Sequence, residues 1–315
     1  MNKGLGNVNN RSLSVIIPVF NNFESIDELN ISLISSLEKL IDIKSEIIYV
    51  DDGSSDESLV RLEELKINNR IETKIIQLAG NFGQLNAILA GVEYAENDLI
   101  ATISADLQDP PEIIARMHEE LGQKGRIAVA ERESRGDSVF MAIASRITYR
   151  IMRIQNKKIP KGGFDCWMLD SKIAEYVLNR SRLSSLIQMN FFNSGNEVHT
   201  ITYKRRERAH GKSGYKFSKK LQMFIEVFAM SLGKLASYLV ILGFAIALSS
   251  LLLFSVILYS YSQSTTPFQG FTLIVGLITL FGSFLMIAIG AVLVLTLRQS
   301  EAQTNQSHYV IEKIT

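Results

Sequence analysis

Cysteine, histidine and proline are scarce in this sequence. Its 315 residues include one cysteine (Cys166), four histidines and five prolines. A single cysteine cannot form an intramolecular disulfide, and so few ligands exclude a cysteine-rich zinc site and a histidine-rich metal site. The formal net charge is only +1. Because nucleic-acid-binding proteins carry a strong basic excess, we expect no nucleic-acid partner.

Charge is missing altogether from one long stretch of the chain. Residues 235–297 contain no Asp, Glu, Lys or Arg, and two apolar runs lie within them at 235–261 and 271–297. Each run exceeds the roughly 20 residues that a helix needs to cross a bilayer. The segment between them is polar and contains Pro267, which is typical of a turn. We predict a two-span α-helical transmembrane hairpin rather than two buried core helices, since core helices normally have a polar face.

The remaining charges are distributed unevenly. Residues 1–198 carry 22 basic and 28 acidic side chains, residues 199–234 carry nine basic and two acidic, and the tail carries two of each. The basic segment directly precedes the first apolar run. By the positive-inside rule it lies in the cytoplasm together with the large N-terminal domain, and two spans return the C-terminus to that side. Residues 215–234 predict an amphipathic juxtamembrane helix on the lipid bilayer, with packing on the domain as the alternative.

Strand and helix signals alternate through the first 130 residues. Short apolar runs predict strands at 13–18, 45–50, 73–78, 98–104 and 127–130, and helical periodicity predicts helices at 25–40, 58–65, 83–95 and 110–121. This alternation predicts an α/β domain with a mostly parallel sheet, whose ligand binds at the carboxyl ends of the strands. In the tail, residues 308–314 are suited to pair as an edge strand.

Polar clusters follow three of the predicted strands, at residues 21–22, 51–55 and 104–109. Neither a GxGxxG nor a P-loop motif is present, which excludes the common dinucleotide and P-loop sites. Asp106 and Gln108 lie two apart on what we interpret as a strand extension, so their side chains should point the same way. They are suited to share a Mg²⁺ or Mn²⁺ ion that bridges a diphosphate. The alternative is that individual aspartates only cap turns or helices.

Taken together, the motifs resemble family 2 glycosyltransferases of the polyprenyl-phosphate type, such as the bactoprenol glucosyltransferases and dolichyl-phosphate mannose synthases. The resemblance rests on VIIPVFNN at 15–22, VDDGSSD at 50–56, GNFGQLNAILAG at 80–91, SADLQDPPE at 104–112, GGFDCWMLD at 162–170 and RERAHGKSGYKFSKK at 206–220. It extends into the apolar hairpin and covers nearly the whole chain. It implies a GT-A (Rossmann-like) domain, a nucleotide-sugar donor and a polyprenyl phosphate acceptor at the bacterial inner membrane.

The resemblance also implies roles for individual residues. Asp106 and Gln108 would hold the metal, and Asp165 would lie at the reacting centre as a base or an orienting group, with a turn or cap as its alternative. The nucleotide-sugar would bind near Pro18, Phe20, Asn22, Asp52, Ser104, Ala105 and Arg132. The lipid phosphate would be bound by Arg206, Arg208, Lys212 and Ser213. The sugar configuration would invert in a single displacement.

Two positions depart from the family pattern. The usual Asp-x-Asp after the fourth strand is Ser104-Ala105-Asp106 here, and the usual Arg before Asn-Phe-Gly-Gln is Gly80. With one carboxylate fewer, the metal should bind less tightly. A catalytically weakened homologue acting as a scaffold in a membrane glycan complex is therefore one alternative function.

A processive polysaccharide synthase is the other alternative, disfavoured because the Gln-x-x-Arg-Trp motif is absent and the only tryptophan is Trp167. The leading interpretation is a hexosyltransferase that uses UDP-glucose or a related UDP-sugar to supply lipid-linked sugar for the cell envelope. We predict a GT-A domain at 1–214, the juxtamembrane helix at 215–234, spans at 235–261 and 271–297, and a cytoplasmic tail at 298–315. Assembly into a homo-oligomer through the hairpins is a further alternative that the sequence leaves open.

Overall fold

The structure is a computed structural model. It describes residues 11–40, 42–123, 125–133, 150, 153, 156, 158–160, 164–181, 191–192, 194–206, 217–263, 270–303 and 309–315. The chain divides into two compact units, Met1–Leu221 together with Asn305–Thr315, and Gln222–Thr304. The domain boundaries given above remain predictions.

The first unit is built on an eight-stranded, mostly parallel sheet. Its strands are β1 (Leu13–Val19), β2 (Ser45–Asp51), β3 (Glu72–Leu78), β4 (Leu99–Thr102), β5 (Ile127–Arg132), β6 (Trp167–Asp170), β7 (Val198–Tyr203) and β8 (Ile311–Ile314). The spatial order is β7-β5-β6-β4-β1-β2-β3-β8. Among the described strands, only β6 and β8 run antiparallel to their neighbours. The carboxyl ends of β1 to β5 and β7 therefore lie along one edge of the sheet, as expected for a ligand-binding α/β domain.

Within the described residues, five helices lie between these strands. They are α1 (Phe23–Leu37), α2 (Ser58–Asn68), α3 (Gln84–Glu93), α4 (Glu112–Gln123) and α5 (Ser171–Ser181). Strand β1 is buried along its whole length because helices cover the sheet, and Val15, Ile16 and Ile17 are fully inaccessible. Such continuous burial is why the central strands appear as uninterrupted apolar runs in the sequence. The alternating strands and helices predicted for residues 13–130 are all present.

The fourth strand is shorter than predicted. It ends at Thr102, and residues 105–107 form a turn in which Leu107 adopts a left-handed conformation with a φ of 59°. The prediction that Asp106 and Gln108 lie on a strand extension is therefore wrong, because the backbone reverses between them. Beyond residue 130, the elements β6, α5 and β7 are not predicted from the sequence.

The C-terminal tail returns to the sheet, as predicted. Strand β8 pairs antiparallel with β3, with Ile314 opposite Ile76 and Lys313 opposite Gln77. The phenol of Tyr309, which is 7 % exposed, donates a hydrogen bond to Glu93 on α3. The tail thereby covers the edge of β3, whose unpaired backbone groups would otherwise be open to pairing with another chain.

The described part of the second unit is formed by two long helices, α6 (Phe217–Gln263), whose first five residues belong to the first unit, and α7 (Gly270–Gln303). Helix α6 runs without a break from the predicted juxtamembrane segment into the first apolar run. Two segments are long and apolar enough to cross a bilayer, Tyr238–Tyr259 and Ile274–Thr296, and only 11 % of each is buried. Their exposure contradicts the alternative of buried core helices within the described chain.

Helices α6 and α7 pack closely at Gly243. A Cβ atom on Gly243 would lie 2.7 Å from Ile287 Cγ1 and 3.0 Å from the carbonyl oxygen of Ser283. Nearby, the hydroxyls of Ser250 and Thr279 are hydrogen-bonded at 2.7 Å. Small and hydroxyl-bearing residues at such a contact are typical of helix pairs in membranes.

Candidate active site

The candidate site is the crevice at the carboxyl edge of the sheet. Hydrogen bonds between the loops that follow β1, β2, β4 and β7 hold it together. The hydroxyl of Ser25 donates to the carbonyl oxygen of Ala105 at 2.7 Å, and the Arg206 amide donates to the carbonyl of Gln108 at 2.9 Å. The polar clusters predicted to meet at this edge do so because parallel strands end on the same side.

The loop after β1 presents an aromatic ring to solvent. Phe20 is 45 % exposed, and its amide donates to Asn22 Oδ1 at 3.0 Å. Asn21 is left-handed, with a φ of 52°, and accepts a hydrogen bond from the Ser55 amide at 2.8 Å. Pro18 is buried inside β1. Of the residues expected to contact the base, Phe20 therefore offers the most accessible surface for stacking.

Asp52 holds two loops of the crevice together. Its carboxylate is 2 % exposed and accepts hydrogen bonds from the amides of Phe82 at 2.7 Å and Gly83 at 2.9 Å. The next residue, Gly53, has a φ of 69°, and a Cβ there would lie 2.6 Å from the carbonyl carbon of Gly80. Only glycine permits this approach. This anchoring role of Asp52 is not predicted from the sequence, and the predicted contact of Asp52 with the base stays a prediction.

Asp51, the last residue of β2, is 1 % exposed. Its Oδ2 accepts from the Ser54 amide at 3.3 Å, and within the described chain its Oδ1 has no hydrogen-bond partner. Burial raises the pKa of this carboxyl above its usual range, with hydrogen bonds from Ser54 opposing the rise. A buried acceptor without a donor destabilises the fold.

The turn after β4 places carboxylates around one hydroxyl. Ser104 Oγ lies 2.9 Å from Asp106 Oδ1 and 3.0 Å from Asp109 Oδ2. Because a hydroxyl carries one hydrogen, it can donate to only one of them at a time. Asp109 is fully buried and also accepts from Tyr203. Both burial and Asp109 raise the pKa of the Tyr203 phenol, so it stays a hydrogen-bond donor.

The oxygen atoms of this turn fit a hard divalent cation. Asp106, Gln108 and Ser104 are partly accessible at the crevice and offer carboxylate, amide and hydroxyl oxygens. Within the described ranges, no three His, Cys, Asp or Glu side chains cluster closely enough to hold a metal by themselves. Mg²⁺ and Mn²⁺ sites that are completed by substrate phosphates need only one or two protein carboxylates. Asp106 is suited to that role.

Two arginines face one aspartate next to this turn. Arg132, the last residue of β5, forms an ion pair with Asp165, and Arg205 Nη2 lies 3.7 Å from the same carboxylate oxygen. Arg205 Nε lies 3.8 Å from Asp109 Oδ1. Burial lowers the pKa of Arg205, and the neighbouring Arg132 lowers it further. Guanidinium groups in such a crevice are suited to bind phosphate.

The predicted site residues are only partly brought together. The structure places Ser104, Asp106, Gln108, Arg132 and Asp165 around the crevice. Arg206 is exposed and pairs with Glu112 at 3.5 Å. Arg208, Lys212 and Ser213 lie outside the described residues. The sequence analysis missed Arg205, although strand alternation after the buried Tyr203 could have indicated that Lys204 points out and Arg205 points in.

Sequence comparisons identify proteins to which this chain is similar. The family model described as glycosyl transferase family 2 matches residues 14–178. The undecaprenyl-phosphate 4-deoxy-4-formamido-L-arabinose transferase of Edwardsiella ictaluri is 31 % identical over 249 residues, covering 76 % of both chains. An uncharacterized glycosyltransferase of Synechocystis sp. is 28 % identical over 283 residues, covering 89 % of this chain and 88 % of that protein.

Comparison with solved structures gives more distant matches. Mannosyl-3-phosphoglycerate synthase from Rubrobacter xylanophilus aligns with a TM-score of 0.49 at 12 % identity, covering 71 % of this chain and 73 % of that chain. Glucosyl-3-phosphoglycerate synthase from Mycobacterium tuberculosis, in complex with phosphoglyceric acid, aligns with a TM-score of 0.48 at 15 % identity, covering 74 % and 85 %.

Proposed function

The chain belongs to glycosyl transferase family 2, and we propose that it transfers a sugar from a nucleotide-sugar to undecaprenyl phosphate at the cytoplasmic face of the bacterial inner membrane. It is a glycosyltransferase with a GT-A domain followed by two apolar helices. The proposed acceptor is supported by the name of the Edwardsiella ictaluri relative, which covers three quarters of the chain. The two exposed apolar helices support a membrane location, where a polyprenyl tail would be dissolved.

The observation that carries the proposal is the pairing of carboxylates and arginines at one crevice. Asp106 lies on the turn after β4, and Arg132 and Arg205 lie at the ends of β5 and β7. A transferase that brings a diphosphate donor to a phosphate acceptor must neutralise negative charge on both substrates and align them. Carboxylates that hold a cation and guanidiniums that bind phosphate supply both functions.

The reaction needs little proton transfer from the protein. A phosphate monoester is ionised at neutral pH, so its oxygen can attack the anomeric carbon directly. The new bond from oxygen to carbon forms as the bond to the nucleoside diphosphate breaks, and the configuration inverts. A Mg²⁺ or Mn²⁺ held by Asp106 and Gln108 would stabilise the negative charge of the leaving diphosphate.

The donor is proposed to be a UDP-sugar, with UDP-glucose as the first candidate and a cell-envelope glycan as the destination. The base would stack on the exposed ring of Phe20 beside Asn22 and Asp52. Ser104, Ala105 and Arg132 would line the sugar and phosphate positions. The acceptor phosphate would meet Arg206 and the basic residues that follow it.

The test uses the full-length protein in detergent with undecaprenyl phosphate, Mg²⁺ or Mn²⁺, and a panel of radiolabelled nucleotide-sugars. We expect label to move to the organic phase with one donor and to be lost with a chelator. Asp106→Asn should reduce transfer at least about tenfold, since charge-assisted contacts to a metal-bound diphosphate are lost. Glu120→Gln on the surface of α4 is the matched control.

Two results would count against the proposal. If Asp106→Asn transferred sugar at the wild-type rate, Asp106 would not be a metal ligand. Failure to transfer label from any donor, together with failure to bind UDP, would favour a scaffold protein over an enzyme.

A further inference from the structure

The loop between β3 and α3, called here the β3–α3 loop, is held at both of its ends. At its end, the amides of Phe82 and Gly83 donate hydrogen bonds to Asp52 in the crevice, at 2.7 and 2.9 Å. At its start, the amide of Ala79 donates to the carbonyl oxygen of Val310 at 2.9 Å. The loop therefore connects the C-terminal tail to a carboxylate of the candidate active site.

The tail also contacts the elements on either side of this loop. On the preceding strand β3, Ile75 and Thr315 exchange two backbone hydrogen bonds of 2.9 Å. On the following helix α3, the last residue is Glu93, which accepts a hydrogen bond from the phenol of Tyr309. Tyr309 is 7 % exposed, and a buried tyrosine hydroxyl normally needs such a partner. The tail thus fixes the chain before the loop, at its start and after it.

The β3–α3 loop has little packing of its own to hold it in place. Each of its residues is at least partly accessible to solvent. It contains Gly80 and Gly83, and a Cβ atom at either position would meet nothing within 4 Å. Glycine loses more conformational freedom on ordering than any other residue. The conformation of the loop therefore depends on the hydrogen bonds at its ends, one of which is made to the tail.

We propose that the C-terminal tail positions the nucleotide-sugar side of the crevice, and that Tyr309 is the positioning residue that anchors it. The docked tail keeps the β3–α3 loop where its amides reach the carboxylate of Asp52. If the tail is released, these amides lose their fixed position and Asp52 loses the donors that orient it. This inference rests on the proposed function, because it concerns the affinity for the nucleotide-sugar, and it adds a residue that lies beyond β3 and outside the crevice.

The test measures amide hydrogen exchange of the full-length protein and its binding of UDP with Mn²⁺. Tyr309→Ala removes the ring and the hydroxyl, whereas Tyr309→Phe removes the hydroxyl alone. We expect Tyr309→Ala to speed exchange of the Phe82 and Gly83 amides about tenfold and to weaken UDP binding by a similar factor. Tyr309→Phe should change both in the same direction but less. In the transfer reaction, the KM for the nucleotide-sugar should rise while kcat stays within about twofold of wild type.

Two controls separate this effect from a general loss of stability. Lys313→Gln changes the same strand, but Lys313 is exposed and pairs with Glu63 on α2 at 3.1 Å. This variant should leave loop exchange and UDP binding within about twofold of wild type, since exposed ion pairs contribute little. The amides of β7, at the opposite edge of the sheet, report global unfolding and should exchange at the wild-type rate in every variant.

Several results would overturn the proposal. One is wild-type exchange of the Phe82 and Gly83 amides in Tyr309→Ala. Another is an equal acceleration at β7, or equal effects in Lys313→Gln. Faster exchange in the loop with unchanged UDP affinity would contradict the positioning role. Hydrogen exchange needs no ligand, so it measures the hold of the tail on the loop even in a protein that binds no UDP, the result that would count against the proposed function.

Discussion

The phenol of Tyr203 donates a hydrogen bond to the carboxylate of Asp109, joining the end of β7 to the turn after β4. Asp109 is fully buried. Tyr203→Phe should lower the free energy of unfolding by about 1–3 kcal/mol, because a buried carboxylate loses a donor. Urea unfolding measures this change. Tyr94→Phe, at an exposed tyrosine, is the control. An equal decrease in the free energy of unfolding in that variant would contradict a stabilising role for the hydrogen bond from Tyr203 to Asp109.

Ser104 should determine how strongly the fold depends on metal. Ser104→Asp would place a third carboxylate beside Asp106 and Asp109, which lie 2.9 and 3.0 Å from the hydroxyl. We expect a lower melting temperature in chelator, because like charges repel, and half-maximal transfer at a lower Mn²⁺ concentration. Ser104→Ala loses only a hydrogen-bond donor, so its melting temperature should fall equally with and without Mn²⁺. The same metal response in both variants would argue against a cation at this turn.

Gly53 and Gly80 are suited to a matched comparison that tests the part of the crevice proposed to bind the nucleotide-sugar. A Cβ on Gly53 would lie 2.6 Å from the backbone of Gly80, whereas a Cβ on Gly80 would meet nothing within 4 Å. Gly53→Ala should cost about 1–3 kcal/mol of stability, because its left-handed backbone is also strained by a side chain. It should raise the KM for the nucleotide-sugar as the loop held by Asp52 shifts. Gly80→Ala should change neither value appreciably.

Asp51 should make stability fall as pH rises. Burial raises the pKa of its carboxyl in the folded state, so the folded protein keeps this proton at pH values where the unfolded chain, with a pKa of about 3.9, has released it. The loss of stability increases with pH between the pKa of Asp51 in the unfolded chain and its pKa in the folded protein. It reaches its full value above the folded-state pKa. Asp51→Asn should therefore melt higher than wild type at pH 7, with the difference shrinking toward pH 4. Thermal unfolding across this pH range measures the difference. A lower melting temperature for Asp51→Asn than for wild type at pH 7 would contradict the raised pKa of Asp51.

The central part of the fold could be predicted because its strands are buried on both faces. Continuous apolar runs such as Leu13–Val19 are unambiguous. Strand β7 (Val198–Tyr203) instead alternates accessible and buried residues at the sheet edge, and β6 has only four residues, so neither produces a strong signal. The tail strand is predicted from residues 308–314, but the sequence does not identify β3 as its partner.

The candidate site was predictable in its residue types but less so in its contacts. The motifs indicate Asp106 and Asp165, the resemblance implies Arg132, and the structure brings the three to one crevice. Their partners depend on loops distant in sequence, as with the Phe82 and Gly83 amides on Asp52. In the run of Lys204, Arg205 and Arg206, the charges alone cannot show which side chain points inward, and the register of β7 decides it.

Membrane orientation can be tested with cysteine labelling, since the single native cysteine is buried. Val310 is 59 % exposed beside β8. In intact cells, Val310→Cys should be protected from a membrane-impermeant maleimide, as should a cysteine at exposed position 64 of the catalytic domain. A cysteine at position 266, between the two apolar runs, should be labelled. Labelling of Val310→Cys from outside would contradict the orientation.

The pairing of β8 with β3 constrains the number of membrane crossings by parity. The chain leaves the catalytic domain after β7 and is back in the same sheet at Ile311. A segment that begins and ends on one folded domain can cross a bilayer only an even number of times. Any crossing by α6 therefore requires a return crossing by α7, and a variant that loses one span must either release β8 from the sheet or withdraw the other span from the membrane.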